Sequence, residues 1–174
     1  MIAAAIALSA VGYATVEGLD RRWLELRADR AELRLPVADG VRVAKSQRDP
    51  LEQTVHWVQD HTGPGEPIYV ATKRADLVTA GAPLLYVLAD RPNPTRYDIA
   101  APGVVTSAPV QQEIVDDLDR YGVRTVIRWT APESAAHEPN RAGRSSGVTL
   151  LDDYLARMYR RAARYGDYVL LQRR

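Results

Sequence analysis

The 174-residue chain has no cysteine, no phenylalanine, three histidines and a formal net charge of only +1. Without cysteine there is no disulfide and no thiolate metal site. That absence suits an oxidising compartment without identifying one. The 23 basic and 22 acidic residues are interspersed along most of the chain, so no electrostatic case for nucleic acid arises. Two short catalytic signatures are missing too: no GxGxxG after a strand and no GxxxxGK followed by Ser or Thr. His56 and His61 lie five apart, on different faces of a helix, and do not make a HExxH-like metal pair. His137 stands in a polar loop without a neighbouring partner. Neither a metal nor a cofactor is expected.

What the chain does have is 46% hydrophobic residues, enough for one domain with a sizeable core. Ile2 to Val16 carries no charge and is mostly Ala, Ile, Leu and Val. As a helix it would span roughly 22 Å at about 1.5 Å per residue. A bilayer core needs about 20 residues, so the stretch is short. Three readings fit it: the far end of a transmembrane helix, a signal peptide lacking its basic n-region, or a buried core helix. Glu17 to Glu32 reads as a charged continuation of the same helix, with Leu19, Trp23 and Leu26 along one face. Trp23 beside Arg21 and Arg22 suits a membrane–water boundary, or equally a Trp packed on the next domain. The expected organisation is an anchor over residues 1–31 and a soluble α/β domain over residues 32–174.

Within the domain, short extended runs at Leu33–Leu35 and Val41–Ala44 flank turn chemistry and predict a β-hairpin. Asp49-Pro50 predicts a helix start, with Leu51, Val55 and Val58 as its apolar stripe and Gly63-Pro64-Gly65 as its stop. Pro67 to Thr72 reads as a buried strand, Ala82 to Ala89 as a short helix, and Arg96 to Ile99 as a brief strand. Ser107 should cap a helix over Ala108 to Tyr121, buried through Val110, Ile114, Leu118 and Tyr121 and ended by Gly122. Val123 to Trp129 reads as a strand, Ala131 to Gly147 as a long polar loop, Thr149 to Arg160 as a helix and Tyr168 to Gln172 as a closing strand. Strands alternating with helices predict a three-layer α/β sandwich with a partly parallel, mixed sheet. Its core should comprise Leu51, Val55, Val58, Ile68, Val70, Leu85, Ile114, Leu118, Val126, Leu151, Leu155, Val169 and Leu171.

Three clusters invite a functional reading. Asp116, Asp117 and Asp119 share one helix, whereas paired catalytic carboxylates converge across a cleft, so a solvated face is expected. Arg141, Arg144, Ser145 and Ser146 form a loop that either binds an anion or is merely solvated. The third is the segment PLLYVLADRPNPTRYD, Pro83 to Asp98. Pro92 and Pro94 stiffen it, and it presents Asn93, Arg96, Tyr97 and Asp98 together. A guanidinium fork, an aromatic face and polar acceptors suit a phosphorylated or sugar ligand. The competing reading makes Arg96 and Asp98 an internal clamp.

The same segment, followed by PGVVT (Pro102 to Thr106), VQQEIVDDL (Val110 to Leu118) and the ending GDYVLLQRR (Gly166 to Arg174), resembles a known class. It is similar to the C-terminal soluble region of bacterial multi-spanning membrane proteins. These are glycosyltransferase-like, of the protein O-mannosyltransferase or aminoarabinose-transferase type (the GT-C class). The resemblance covers about Gly40 to Arg174. It implies a multi-helix membrane body as partner, a polyprenyl-phosphate sugar donor and its acceptor, and an extracytoplasmic position at the cell membrane. In that class the catalytic acidic residues sit in the first extracytoplasmic loop of the membrane body. No part of this chain corresponds to that loop, so no catalytic residue is carried over. The expected function is an accessory domain of such a transferase. The alternatives are a free-standing, membrane-anchored binding module for a sugar or anionic ligand and, less in keeping with the missing motifs, an independent small enzyme.

Overall fold

A computed structural model describes residues 29–77, 80–135 and 144–174. Residues 1–28 of the predicted anchor lie outside the described residues, as do His137 and Arg141. No helix among the described residues is long and apolar enough to cross a membrane.

The domain is a mixed α/β fold. It opens with an antiparallel hairpin of β1 (Arg30–Glu32) and β2 (Arg42–Ala44), joined through a 3₁₀ turn at Pro36–Ala38. Helix α1 (Lys45–His61) leads to β3 (Ile68–Ala71), then α2 (Leu84–Ala89) and α3 (Ala108–Arg120) lead to β4 (Thr125–Trp129). Helix α4 (Leu150–Met158) runs straight into β5 (Tyr159–Tyr165), which turns back as β6 (Tyr168–Arg173). The four-stranded sheet has the order β3-β4-β6-β5, with β3 and β4 parallel and the other pairs antiparallel.

Alternation along the strands decides which helix meets which face. Ile68, Val70, Ile127, Tyr168 and Leu170 point to one side, where Leu51, Val55 and Val58 of α1 and Leu85 and Leu88 of α2 cover them. Tyr69, Ala71, Val126 and Tyr159 point to the other, beneath Ile114 and Leu118 of α3 and Leu151, Tyr154 and Leu155 of α4. Helices therefore cover both faces, which makes three layers.

The edge strand β3 has its outward backbone donors satisfied from outside the sheet. Ile68 N–H donates to Pro92 O at 3.1 Å and Val70 N–H to the Tyr86 hydroxyl at 2.9 Å. Burial holds that phenol far above its ordinary pKa. The other edge, β5, exposes Arg160, Arg161 and Arg164 and carries a bulge between Arg161 and Ala163.

Several expectations are corrected. Arg30–Glu32 is a strand, not the end of a charged helix: Pro36 starts a 3₁₀ turn, so Leu33 and Leu35 are buried as irregular backbone and pairing moves toward the N-terminus. Helix α1 begins at Lys45, one turn before the expected Asp49-Pro50 start, because β2 delivers the chain directly and Asp29 O accepts the Lys45 N–H. Pro50 thus sits inside the helix and leaves one carbonyl without its helical donor. Arg96 to Ile99 is bend and irregular backbone, not strand, because side chains hold its backbone as described below. The last helix stops at Met158 and Tyr159 starts β5, which sequence reading missed. Tyr121 is 54% exposed, since α3 ends at Arg120 and Tyr121 follows the helix as its C-cap. In β6 the fully buried positions are Tyr168 and Leu170; Val169 and Leu171 face the other side and are only partly buried. The other eleven expected core residues are buried.

Candidate functional site

The chain from α2 to α3 crosses from one face of the sheet to the other around the β3 edge, and the predicted site lies on this crossing. Asp90 ends α2 in the left-handed region, φ 53°. Arg91, 8% exposed, then fixes the exit: its guanidinium donates to Thr62 Oγ1, Thr62 O, Ala89 O and Asp90 O.

All four predicted residues come together here. The Asn93 amide nitrogen donates to Tyr97 O (3.1 Å) and to an Asp98 carboxylate oxygen (3.0 Å). Its amide oxygen accepts from the backbone N–H and the hydroxyl of Thr95, at 3.0 and 3.1 Å. Arg96 lies over the Tyr97 ring, 5.2 Å from its centre, and its fork grips Glu113 of α3 at 2.8 and 2.9 Å. The Tyr97 hydroxyl donates to the same carboxylate at 2.7 Å. Sequence reasoning did not find Glu113, since nothing in a helical stretch marks which exposed carboxylate will meet a loop 16 residues away. The fork prepared for an external carboxylate or phosphate is therefore filled by the protein's own side chain. A ligand would have to displace Glu113, and the clamp reading has the geometry on its side.

A second constellation forms where parallel α/β sheets usually bind ligands, beyond the carboxyl ends of the parallel strands β3 and β4. Asp76, 1% exposed, accepts two bonds from Arg74, at 3.0 and 2.7 Å, and one from Ser145. Burial would raise its pKa, but Arg74 and Ser145 outweigh burial and hold it below the usual value. Asp152, in the first turn of α4, accepts the Ala75 N–H at 2.8 Å and pairs with Arg128 of β4 at 3.1 Å. Burial dominates there and raises its pKa. Two carboxylates pushed in opposite directions are a known acid–base pattern. Each is nonetheless saturated by contacts that tie the β3 loop to α4 and β4. Ser145, in the loop read as either anion-binding or merely solvated, donates to the Asp76 carboxylate, and Ser146 N–H donates to Asp76 O.

Of the three aspartates on α3, Asp116 is exposed as expected. Asp117 is 9% exposed and pairs with Arg120. Asp119 accepts from the Tyr154 hydroxyl at 2.7 Å and pairs with Arg173. Among the described residues, no three His, Asp or Glu side chains gather as a metal site. A cavity of about 390 Å³ beside α1 is lined by Arg34, Asp49, Glu52, Gln53 and His56. Arg34 there is bound to Glu52 and Asp49, tying the hairpin to the helix. No family model, curated protein or solved structure matches the chain.

Proposed function

We propose that the chain is the extracytoplasmic accessory domain of a membrane glycosyltransferase-like protein that uses a polyprenyl-phosphate sugar donor, with the catalytic residues outside this chain. The domain stands on the membrane surface beside the membrane body and shapes access of donor or acceptor.

The observation that carries this reading is an apolar surface on the loop of the first hairpin and the adjoining helix α2. The 3₁₀ turn of the first hairpin packs against α2. On these adjoining elements Val37 (53% exposed), Val41, Leu84 and Val87 (60% exposed) face outward. Leu84 and Val87 are three apart and share one side of α2. Apolar side chains grouped on a surface mark an interaction face. The uncharged run Ile2–Val16, a short way upstream in the same chain, supplies the membrane as the partner for it.

The cysteine-free sequence allows a clean test. Val87→Cys in the full chain, labelled with an environment-sensitive dye and reconstituted into liposomes, should emit at shorter wavelength than the same variant in a truncated, water-soluble chain starting at Asp29. Asp116→Cys, on the opposite layer, should show no difference. Full-length chain in bacteria should pellet with membranes. A full-length chain that stays soluble and monodisperse, or equal dye emission at both positions, overturns the proposal.

A further inference from the structure

At the other end of the sheet from the Asp76 cluster, the start of β4 lies beside the end of β6, with Thr125 opposite Gln172. A cavity of about 320 Å³ opens there, lined by His61, Arg124, Thr125, Gln172, Arg173 and Arg174. Its volume falls at the small end of ligand pockets.

We propose that this cavity is a binding site for a small phosphate-bearing ligand, with the Thr125 hydroxyl and the Arg174 guanidinium as donors to the phosphate oxygens. Three observations carry it. First, Thr125 is 1% exposed, and its hydroxyl has no hydrogen-bond partner. A buried hydroxyl without a partner is costly. Valine would fill the same strand position with the same shape and without that cost. The position at the cavity wall supplies the missing partner as a ligand atom.

Second, the charges do not cancel. Arg124 is engaged by Glu66 and Arg173 by Asp119. The Arg174 guanidinium has no acidic side-chain partner among the described residues; its one hydrogen bond is a long one, 3.4 Å, to Tyr159 O. Among the side chains here, three guanidinium groups face two carboxylates, and the fork of Arg174 is the one left over.

Third, the histidine is set up. His61 stacks on Trp57 with ring centres 4.0 Å apart, and its Nδ1 bonds Trp57 O at 2.7 Å. Nδ1 therefore donates, and Nε2 is the nitrogen left for the cavity. Thr125 on β4 and Arg174 just past β6 donate, while Nε2 of a neutral His61 on α1 accepts, so polar groups converge from three directions. A tetrahedral phosphate presents oxygens, one of which can carry a proton, to all three, whereas a planar carboxylate is satisfied by a single fork.

The test uses the full chain in detergent micelles at constant ionic strength, titrated calorimetrically with inorganic phosphate, glucose 1-phosphate and short-chain phosphatidylglycerol. Saturable binding of the first two is expected. Thr125→Val should weaken it about tenfold to a hundredfold, the usual worth of a hydrogen bond to a charged group. Its thermal midpoint should be unchanged or higher, because no native partner is lost. Arg174→Gln should weaken binding as well. Tighter binding of the phosphatidylglycerol, with the same loss in Thr125→Val, keeps the phosphate chemistry and assigns it to a lipid headgroup. Absence of saturable binding for all three probes, or wild-type affinity in both variants, overturns the proposal.

Discussion

Replacing Asn93 should cost the domain more than replacing its charged neighbour Arg96, although the arginine looks the more important residue in the sequence. Asn93 makes four hydrogen bonds within the loop, at 3.0 to 3.1 Å, and is itself partly shielded from water. Each is worth about 0.5–1.5 kcal/mol net, so Asn93→Ala should cost about 2–4 kcal/mol after allowing for non-additivity. At about 2–4 °C per kcal/mol for a domain of this size, the thermal midpoint should fall by roughly 4–16 °C. The Arg96 side chain is 71% exposed, so water and salt screen its pair with Glu113 and the shift for Arg96→Ala should be clearly smaller. Asn93→Asp is nearly the same size but sets a carboxylate against Tyr97 O and Asp98, so it should be worse at neutral pH than in mild acid. Circular dichroism melts of the three variants are the assay. An Arg96→Ala midpoint as low as that of Asn93→Ala would refute this account of the loop. Arg96→Ala with an unaltered midpoint but lost transfer activity in a parent membrane protein would return the loop to the binding surface.

Leu118, fully buried under the sheet, should cost about 2–5 kcal/mol when cut to Ala, measured by urea unfolding. Gly166→Ala should cost about 1–2 kcal/mol for its positive φ of 53° alone, and more because a Cβ there would lie 3.0 Å from Pro50 Cβ; a neutral result would mean that the turn does not rest on α1. Four carboxyls, Glu52, Glu66, Asp76 and Asp119, titrate below their ordinary values of 4.5 for Glu and 3.8 for Asp, chiefly through Arg34, Arg124, Arg74 with Ser145, and Tyr154 with Arg173. Their stabilisation is complete above the unfolded-state values and is lost as pH falls through the lower folded ones. Asp152, raised by burial, works the other way, favouring the fold at acid pH and losing that contribution as pH rises. Four groups outweigh one, so urea midpoints should fall as the solution is taken from about pH 5 to about pH 3; a rise over that range would contradict the assigned partners.

The helices with an apolar stripe were legible. Val55 and Val58, and Ile114 and Leu118, announce their faces by spacing, and Gly122 marks the end of α3 with a φ of 59°. Strand β5 was not legible, because RRAARY is built of good helix formers and shows no alternation of apolar residues. Pairing with β6 through a two-residue Gly166-Asp167 turn overrides that propensity. In β6 either parity could have been the buried one, since both sheet faces are covered. At the candidate loop, the residues that present chemistry were visible in the sequence, but their partner Glu113 was not. Thr125 gave no signal, because an unpaired hydroxyl is a property of its surroundings.

The two rims of the four-stranded sheet bear on how the molecule behaves at high concentration. A bare rim is a template on which a second chain adds by backbone hydrogen bonding, the first step toward fibres. Here one rim has its donors already taken by Pro92 and the Tyr86 hydroxyl, and the other repels its like through three arginines and a local kink. The sheet ends at four strands, and self-association through it is blocked from both sides. Contacts with other molecules fall to the helix layers, the turns and the cavity mouths, where side chains choose the partner.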